Sequence, residues 1–123
     1  MDDAATSVSE LKQMVRRFSE ERDWDQFHNA KDLAIGIVTE ASELLQAFRF
    51  KTNEEVEGML RDDSRSKEVR DELADIFYFA LRLAQRYGID VSKSLEEKIR
   101  DNAKRYPAER AKGSNKKYTE LKP

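Results

Sequence analysis

Apolar residues recur every three or four positions along most of the chain, which is the spacing of an amphipathic helix. Strand-like alternation is nearly absent, and only four glycines and two prolines are present to interrupt helices. The pattern therefore predicts an all-α fold, a bundle of four main helices. We expect these helices from about Ser7 to Arg22, from Asn29 or Lys31 to Phe50, from Lys67 to Tyr87, and from Asp90 or Ser92 to just before Pro107.

Signals at the helix ends refine this pattern. Ser7 and Glu10 have the spacing of a capping box, and Gly88 is a typical helix stop. Thr52 or Asn53 can cap a short extra helix over "EEVEGML", and we expect "RDDSRS" after it to be a mobile polar connection. The apolar arcs predicted to face the core are Val8, Leu11, Met14, Val15 and Phe18 in the first long helix, Leu33, Ile37, Ala41, Leu44 and Phe48 in the second, and Leu73, Ile76, Ala80, Leu83 and Tyr87 in the third.

The length of the chain bounds the number of domains. At 123 residues and 14.4 kDa, it is long enough for one modest core. We expect a single domain over residues 1–123, with its core at about 7–106 and an extended C-terminal tail at 107–123. A small helical chain often completes its core by pairing with copies of itself, so we also expect a homo-oligomer.

Composition and charge exclude several classes of protein. A net charge of -2 gives no overall attraction to nucleic acid or acidic membranes, and the absence of cysteine excludes disulfides and thiolate metal sites. The opening "MDDAATSVSE" lacks the features of a secretion signal, and no run approaches the ~18 apolar residues of a membrane span. We therefore expect a soluble, cytoplasmic protein with no membrane partner.

Two carboxylates border the apolar arc of the second long helix, in "TEASELLQAF". Because each residue advances about 100° around a helix, Glu40 and Glu43 lie about 60° apart. Gly36 and Ala47 project in nearly the same direction, although glycine costs about 1 kcal/mol of helix propensity. These small side chains predict free space beside the two acids in which a ligand can sit.

The third long helix repeats this arrangement in "RDELADIFYFALRL", where Glu72 and Asp75 lie three residues apart. Acid pairs at this spacing occur five times in the chain, so spacing alone is weak evidence. Apolar neighbours distinguish these two pairs, whereas the other three lie among basic and polar residues. At this stage both a ligand site and an ordinary solvated helix edge remain open.

Antiparallel packing of the two helices would bring four carboxylates together, and clustered like charges either take up protons or bind cations. With oxygen ligands alone, the fitting cation is a hard one, Mg²⁺ or Mn²⁺. A di-iron bundle would need a Glu-x-x-His pair on two helices, and the single histidine, His28, is not in that position. Carboxylate-bound Mg²⁺ usually grips a phosphate-bearing substrate.

Several segments together resemble the MazG-like all-α nucleoside triphosphate pyrophosphohydrolases, particularly the dCTP pyrophosphatase branch. The match comprises Glu40-x-x-Glu43 with Glu72-x-x-Asp75, then "RDWDQFH", "KIRDNAKRYP" and "GSNKKYTEL", and it covers about residues 10–121. The resemblance implies Mg²⁺-dependent hydrolysis of a nucleoside triphosphate between the α and β phosphates, giving the monophosphate and pyrophosphate. It implies dCTP or a modified cytosine analogue as the leading substrate, for nucleotide-pool balance or cleansing. A homotetramer built as a dimer of dimers, with active sites shared between subunits, is also implied.

The resemblance further implies roles for individual residues. Glu40, Glu43, Glu72 and Asp75 match metal ligands, and Glu43 is also expected to orient or deprotonate the attacking water. The remaining matched positions are Trp24, His28, Phe50 and Phe79 around the nucleoside, and Lys98, Asn102, Arg105 and Tyr106 at the phosphates or sugar.

Other interpretations of these residues remain open. Trp24 can be a core or interface aromatic, His28 a surface or capping residue, and the Lys98 segment a solvated charged face. Phe50 and Phe79 stand where the branch has Trp and Tyr, so each keeps an aromatic surface but lacks a polar handle. This difference bears on base selectivity.

The C-terminal segment suggests rival functions. Between positions 98 and 117 there are eight lysines and arginines against two acidic residues, as in a nucleic-acid-binding module. A negative total charge and few interleaved aromatics disfavour nucleic acid as a partner. A non-catalytic helical oligomer is the third class of function.

Overall fold

The computed structural model describes residues 1–121, which contain no strand, so the predicted all-α class is confirmed. Four long helices are accompanied by two short ones. The helices are α1 (Val8–Glu21), α2 (Ala30–Phe48), α3 (Asn53–Arg61), α4 (Asp63–Arg86), α5 (Val91–Arg105) and α6 (Ala108–Ala111), with single 3₁₀ turns at Asp3–Ala5, Asp25–Phe27 and Tyr118–Glu120.

Side-chain caps set most of the helix starts where the sequence predicts them. The Ser7 hydroxyl accepts a hydrogen bond from the Glu10 backbone N–H at 3.1 Å. Asn29, Thr52 and Asp90 likewise accept a backbone N–H in the first turns of α2, α3 and α5. Each cap satisfies one of the backbone donors that a helix start leaves unpaired.

The segment "RDDSRS" is not a mobile connection, and the predicted helix start at Lys67 is wrong. α3 ends at Arg61 and α4 begins at Asp63, because the Asp62 carboxylate accepts the backbone N–H groups of Ser64 and Arg65, both at 3.0 Å. The backbone bond from Arg65 is the main cause that lowers the pKa of Asp62. One aspartate thus ends one helix and starts the next.

Helices α1 to α4 form one compact unit, Met1–Ile89. α4 lies at its centre, packing mainly against α2 and also against α1 and α3. Three contacts define an antiparallel seam between α4 and α2: Glu72 with Glu40, Phe79 with Gly36, and Tyr87 with Ala30. The contact positions rise from 72 to 87 along α4 while they fall from 40 to 30 along α2, so the two helices run antiparallel.

The core of this unit is small. Its buried apolar residues are Val15, Leu33, Ala47, Met59, Leu81 and Ala84. The arc predicted for α4 is partly wrong, because Leu73 and Tyr87 are 47% and 50% exposed and Ala80 is also exposed. α4 instead turns the face that carries Leu81 and Arg82 inward. In α2, Ala41 is exposed as well, whereas Leu33 is buried as predicted.

A second compact unit begins at Asp90 and contains α5 and α6. Part of the predicted tail is helical, and the Tyr118 ring meets the Tyr106 ring edge-on at 6.0 Å between centroids. The end of the predicted tail, positions 122–123, lies outside the described residues. None of the described helices is both long enough and apolar enough to cross a membrane.

Candidate active site

Three of the four predicted acidic ligands meet where α2 and α4 cross. Carboxylate oxygens of Glu40, Glu43 and Glu72 all lie within 4.8 Å of one another. Asp75 is outside this group, although its charge contributes to raising the pKa of both Glu40 and Glu72. The helix geometry explains the meeting: Glu40 follows Gly36 by one turn on α2, and Glu72 precedes Phe79 by two turns on the antiparallel α4.

Burial and the closeness of the acids raise the pKa values of Glu40 and Glu72. Burial, followed by the neighbouring Glu43 and Glu72 carboxyls, raises the pKa of Glu40 from 4.5 to about 7. Burial also raises the pKa of Glu72, with Glu43 and Asp75 adding to the effect. Around pH 7, Glu40 is therefore still partly protonated, whereas a carboxylate in water would be ionised.

Two carboxylate oxygens of the cluster are buried without a hydrogen-bond donor in the described part of the chain. Glu40 Oε2 and Glu72 Oε2 are buried and have no hydrogen-bond partner within residues 1–121. A buried acceptor without a donor costs about 1–3 kcal/mol, and a cation removes that cost by coordination. The oxygen-only donor set and these two orphaned atoms fit a hard divalent ion.

The predicted free space beside the acids does not exist. A Cβ atom at Gly36 would lie 2.6 Å from Phe79 Cδ1, so the ring of Phe79 fills the position that the missing side chain vacates. Ala47 is only 5% exposed. Small residues here allow α4 to approach α2 closely, and they fix the ring of Phe79 one turn from Asp75.

An aromatic cluster continues from this point along the seam. The rings of Phe79, Tyr78, His28 and Trp24 meet edge-on in succession at 5.3, 6.3 and 6.1 Å between centroids. Trp24 keeps 37% of its surface exposed, whereas His28 keeps 8%. His28 is therefore not a surface residue, and the Trp24 ring beside it is only partly exposed.

Sequence reasoning missed Arg82 and Asp25, which support this cluster. Arg82 is completely buried; its Nε donates to His28 Nδ1 at 2.9 Å, its Nη1 donates to Gln85 Oε1 at 2.5 Å, and its Nη2 pairs with Asp25. The signal was visible: Arg82 is the single charged residue in the run "IFYFALRLA". A charge in an apolar stretch of a packed helix requires a buried partner.

Phe50 has an unusual conformation at the end of α2. Its φ of +62° lies in the left-handed region, which costs a residue with a side chain about 1–2 kcal/mol. The ring is 91% exposed, with the Arg49 guanidinium 4.4 Å from its centroid. The structure does not bring Phe50 into the aromatic cluster of Trp24, His28 and Phe79.

The four predicted phosphate or sugar contacts all belong to the second unit. Lys98 is exposed and Asn102 half-buried, one turn apart on α5. Arg105 lies over the Tyr118 ring at 5.2 Å, and Tyr106 contacts the same ring. This small cluster fixes the segment after α6 near the end of α5, and the contact of these residues with a nucleotide stays a prediction.

Comparison with known proteins shows to which family the chain that carries these acids belongs. A sequence model described as the MazG-like family matches residues 35–121, a range that includes all four acids. The chain belongs to the MazG-like family. The predicted family is thereby confirmed.

Curated relatives and solved structures agree with this family. Human dCTP pyrophosphatase 1 is 32% identical over 115 residues, which span 94% of this chain and 68% of the human protein. The bovine protein of the same name is 31% identical over the same shares. The crystal structure of a pyrophosphatase from Archaeoglobus fulgidus is 29% identical with a TM-score of 0.76, covering 87% of this chain and 98% of that one. The fold of this chain therefore matches nearly the whole length of the Archaeoglobus fulgidus protein.

Proposed function

We propose that this protein is a Mg²⁺-dependent nucleoside triphosphate pyrophosphohydrolase that cleaves dCTP or a related deoxynucleotide to the monophosphate and pyrophosphate. The observation that carries the proposal is the cluster of Glu40, Glu43 and Glu72 on two antiparallel helices. The family, and relatives named as dCTP pyrophosphatases and a pyrophosphatase, support the reaction. Such an activity serves nucleotide-pool balance or cleansing.

The cation would be held by Glu40, Glu43 and Glu72, with Asp75 as a further ligand beside them. The two orphaned oxygens, Glu40 Oε2 and Glu72 Oε2, are the atoms that most need such a partner. When bound, Mg²⁺ or Mn²⁺ supplies positive charge that neutralises the triphosphate and lowers the pKa of water. Of the two, Mg²⁺ best fits the hard oxygen donors and a phosphate-bearing substrate.

Glu43 acts on the attacking water. Its side chain belongs to the acid cluster and is exposed, so it can reach solvent. Its carboxylate accepts a hydrogen bond from the water and takes the proton as the new oxygen–phosphorus bond forms. The bond between the α and β phosphates breaks, and the products are the nucleoside monophosphate and pyrophosphate.

The nucleoside lies along the aromatic cluster. Trp24 offers a partly exposed ring for stacking, His28 a hydrogen bond to the base, and Phe79 an aromatic side chain near the acids. The family resemblance also assigns Phe50 to the nucleoside, although Phe50 lies outside this cluster. The same resemblance assigns the phosphates or sugar to Lys98, Asn102, Arg105 and Tyr106, which belong to the second unit.

Assembly into a homo-oligomer, with a dimer of dimers as the leading form, accompanies this function. Large apolar side chains remain exposed along α2 and α4: Ile35, Val38, Leu45, Leu73 and Phe77. A surface of this kind typically marks an interface between proteins. Light scattering at micromolar concentration measures the mass, and a monomer would contradict the proposal.

The test of the reaction uses Glu43→Gln. Pyrophosphate release is measured with Mg²⁺ across dCTP, dUTP, dTTP, dATP and modified cytosine nucleotides. We expect the variant to lose at least about a hundredfold in turnover, the usual contribution of a general base. Glu68→Gln is the matched control, because it removes an exposed acid from α4 one turn before the cluster.

Three results would contradict the proposal. Unchanged turnover in Glu43→Gln would remove the role of Glu43. Equal losses in both variants would mean that general damage causes them. No turnover of any nucleotide by the wild type, together with steeply salt-dependent binding of oligonucleotides, would favour the nucleic-acid-binding module instead.

A further inference from the structure

A buried charge lies behind the aromatic cluster. The Arg82 guanidinium has no exposed surface, and each of its three nitrogens bonds a different residue: His28, Gln85 and Asp25. A guanidinium only donates hydrogen bonds and does not lose its charge. Each atom that receives a hydrogen bond from Arg82 must therefore be an acceptor, and this fixes the protonation state of that atom.

The constraint on His28 concerns its tautomer. Because Arg82 Nε donates to His28 Nδ1 at 2.9 Å, Nδ1 must be an acceptor and cannot carry a proton. The imidazole is then neutral, and its single proton is on Nε2. Burial, then the charge of Arg82, lowers the pKa of His28, while Asp25 raises it and Arg86 lowers it further. All of these groups belong to the same network.

The other ring nitrogen is left free to act. His28 Nε2 has no hydrogen-bond partner within residues 1–121, and it is not among the fully buried unpaired atoms there. The His28 ring stands 6.1 Å from the partly exposed Trp24 ring, centroid to centroid. A fixed N–H donor beside a partly exposed aromatic ring is suited to recognising the edge of a planar base.

We propose that Arg82 is a positioning residue for base recognition: it holds His28 as the Nε2–H tautomer, so that this N–H donates to an acceptor on the base stacked against Trp24. The inference rests on the proposed function. Aimed at N3, this donor favours cytosine, whose N3 is an acceptor, over uracil and thymine, whose N3 carries a hydrogen. The proposed selectivity therefore concerns the contact with N3, since all three bases present O2 as an acceptor. The Asp25 carboxylate, in turn, holds Arg82 through its Nη2.

The first measurement is spectroscopic and needs no turnover. The chain has a single histidine, so long-range ¹⁵N–¹H correlation spectra of labelled protein report His28 without further assignment. At pH 7 we expect the neutral Nε2–H tautomer. Addition of the non-hydrolysable α,β-imido-dCTP is expected to shift the Nε2 signal more than the Nδ1 signal.

The second measurement compares Arg82→Met with Arg86→Met. Arg86 lies one turn further along α4 and bonds the His28 carbonyl oxygen at 3.4 Å and Asp25 at 3.5 Å, but not the imidazole. We expect Arg82→Met to mix the tautomers, raise KM for dCTP about tenfold with kcat nearly unchanged, and reduce the preference for dCTP over dUTP. Arg86→Met is expected to keep the tautomer and the preference.

Circular dichroism and thermal unfolding first establish that Arg82→Met folds, because the substitution removes a completely buried guanidinium and leaves its acceptors on His28 and Gln85 without a donor. If it does not fold, His28→Phe and His28→Gln replace it. Loss of dCTP preference in His28→Phe, with partial recovery in His28→Gln, which keeps an N–H donor, supports the proposal. Equal behaviour of the two variants overturns it.

The outcomes separate this inference from the proposed function. An Nδ1–H or protonated His28 in the wild type overturns the inference even if the enzyme is active. A tautomer that survives Arg82→Met, or an equal loss of selectivity in Arg86→Met, also overturns the role of Arg82. If no nucleotide is hydrolysed, the proposed function fails. The α,β-imido-dCTP titration then decides base recognition by itself, and an unshifted Nε2 signal overturns it.

Discussion

Replacing Gly36 with alanine tests the close contact between α2 and α4. The added Cβ would lie 2.6, 2.7 and 2.8 Å from Cδ1, Cε1 and Cγ of Phe79, distances that force the ring to move. Alanine gains about 1 kcal/mol of helix propensity over glycine. Overpacking of a well-filled site costs about 1–3 kcal/mol. The net expectation for Gly36→Ala is a loss of about 0–2 kcal/mol in the free energy of unfolding.

Gly58→Ala is the matched control, because it also lies inside a helix, α3, and a Cβ there would meet nothing within 4 Å. It should gain roughly 0.5–1 kcal/mol. Because propensity contributes to both variants, their difference isolates the overlap with Phe79, which we expect to be about 1–3 kcal/mol.

Urea unfolding at one protein concentration measures both variants. Adding Phe79→Leu to Gly36→Ala should recover part of the loss, because the two residues are in contact and their effects are not additive. If Gly36→Ala stabilises the protein as much as Gly58→Ala does, the ring of Phe79 does not fill the position, and the account of the seam is wrong.

Two further predictions concern stability. Because the pKa of Glu40 is raised to about 7, the metal-free folded state binds more protons than the unfolded chain between pH 4.5 and 7, so the stability of the protein should fall as pH rises through that window. In thermal unfolding with a chelator present, Glu40→Gln should reduce this pH dependence. A pH dependence that is the same in the variant and the wild type would contradict the raised pKa of Glu40. Tyr78→Phe removes the 2.6 Å hydrogen bond between the Tyr78 hydroxyl and the buried Ser19 hydroxyl, and should cost about 1 kcal/mol. An unfolding free energy equal to that of the wild type would show that this bond contributes nothing.

The sequence predicted what local patterns encode. Apolar periodicity predicted the four long helices, and caps such as Ser7 and Asn29 gave the starts of α1, α2 and α5 within a residue or two. The segment around Asp62 was misinterpreted because polar residues suit both a loop and a first helical turn. Only the capping contacts of the Asp62 carboxylate distinguish the two.

What depends on the pairing of distant helices was less predictable. The family resemblance, rather than the spacing alone, indicated that Glu40, Glu43 and Glu72 belong together, yet it could not show that Phe79 occupies the space at Gly36. Arg82 went unnoticed because two of its three partners, His28 and Asp25, lie more than fifty positions away in the chain. Periodicity describes one helix at a time, whereas these contacts arise between two.

The antiparallel seam also sets the distance between the acids and the aromatic cluster. Successive contacts across it join Glu40 to Glu72, Gly36 to Phe79 and His28 to Arg82. The first and last of these contacts are separated on α4 by about 15 Å, at 1.5 Å per residue. One residue inserted into either helix between two of these contacts would rotate every later side chain by about 100° and separate the acids from the aromatic cluster. Insertions and deletions should therefore be tolerated in the connections but not within the seam, because the distance between the acid cluster and the aromatic cluster depends on the register of the two helices.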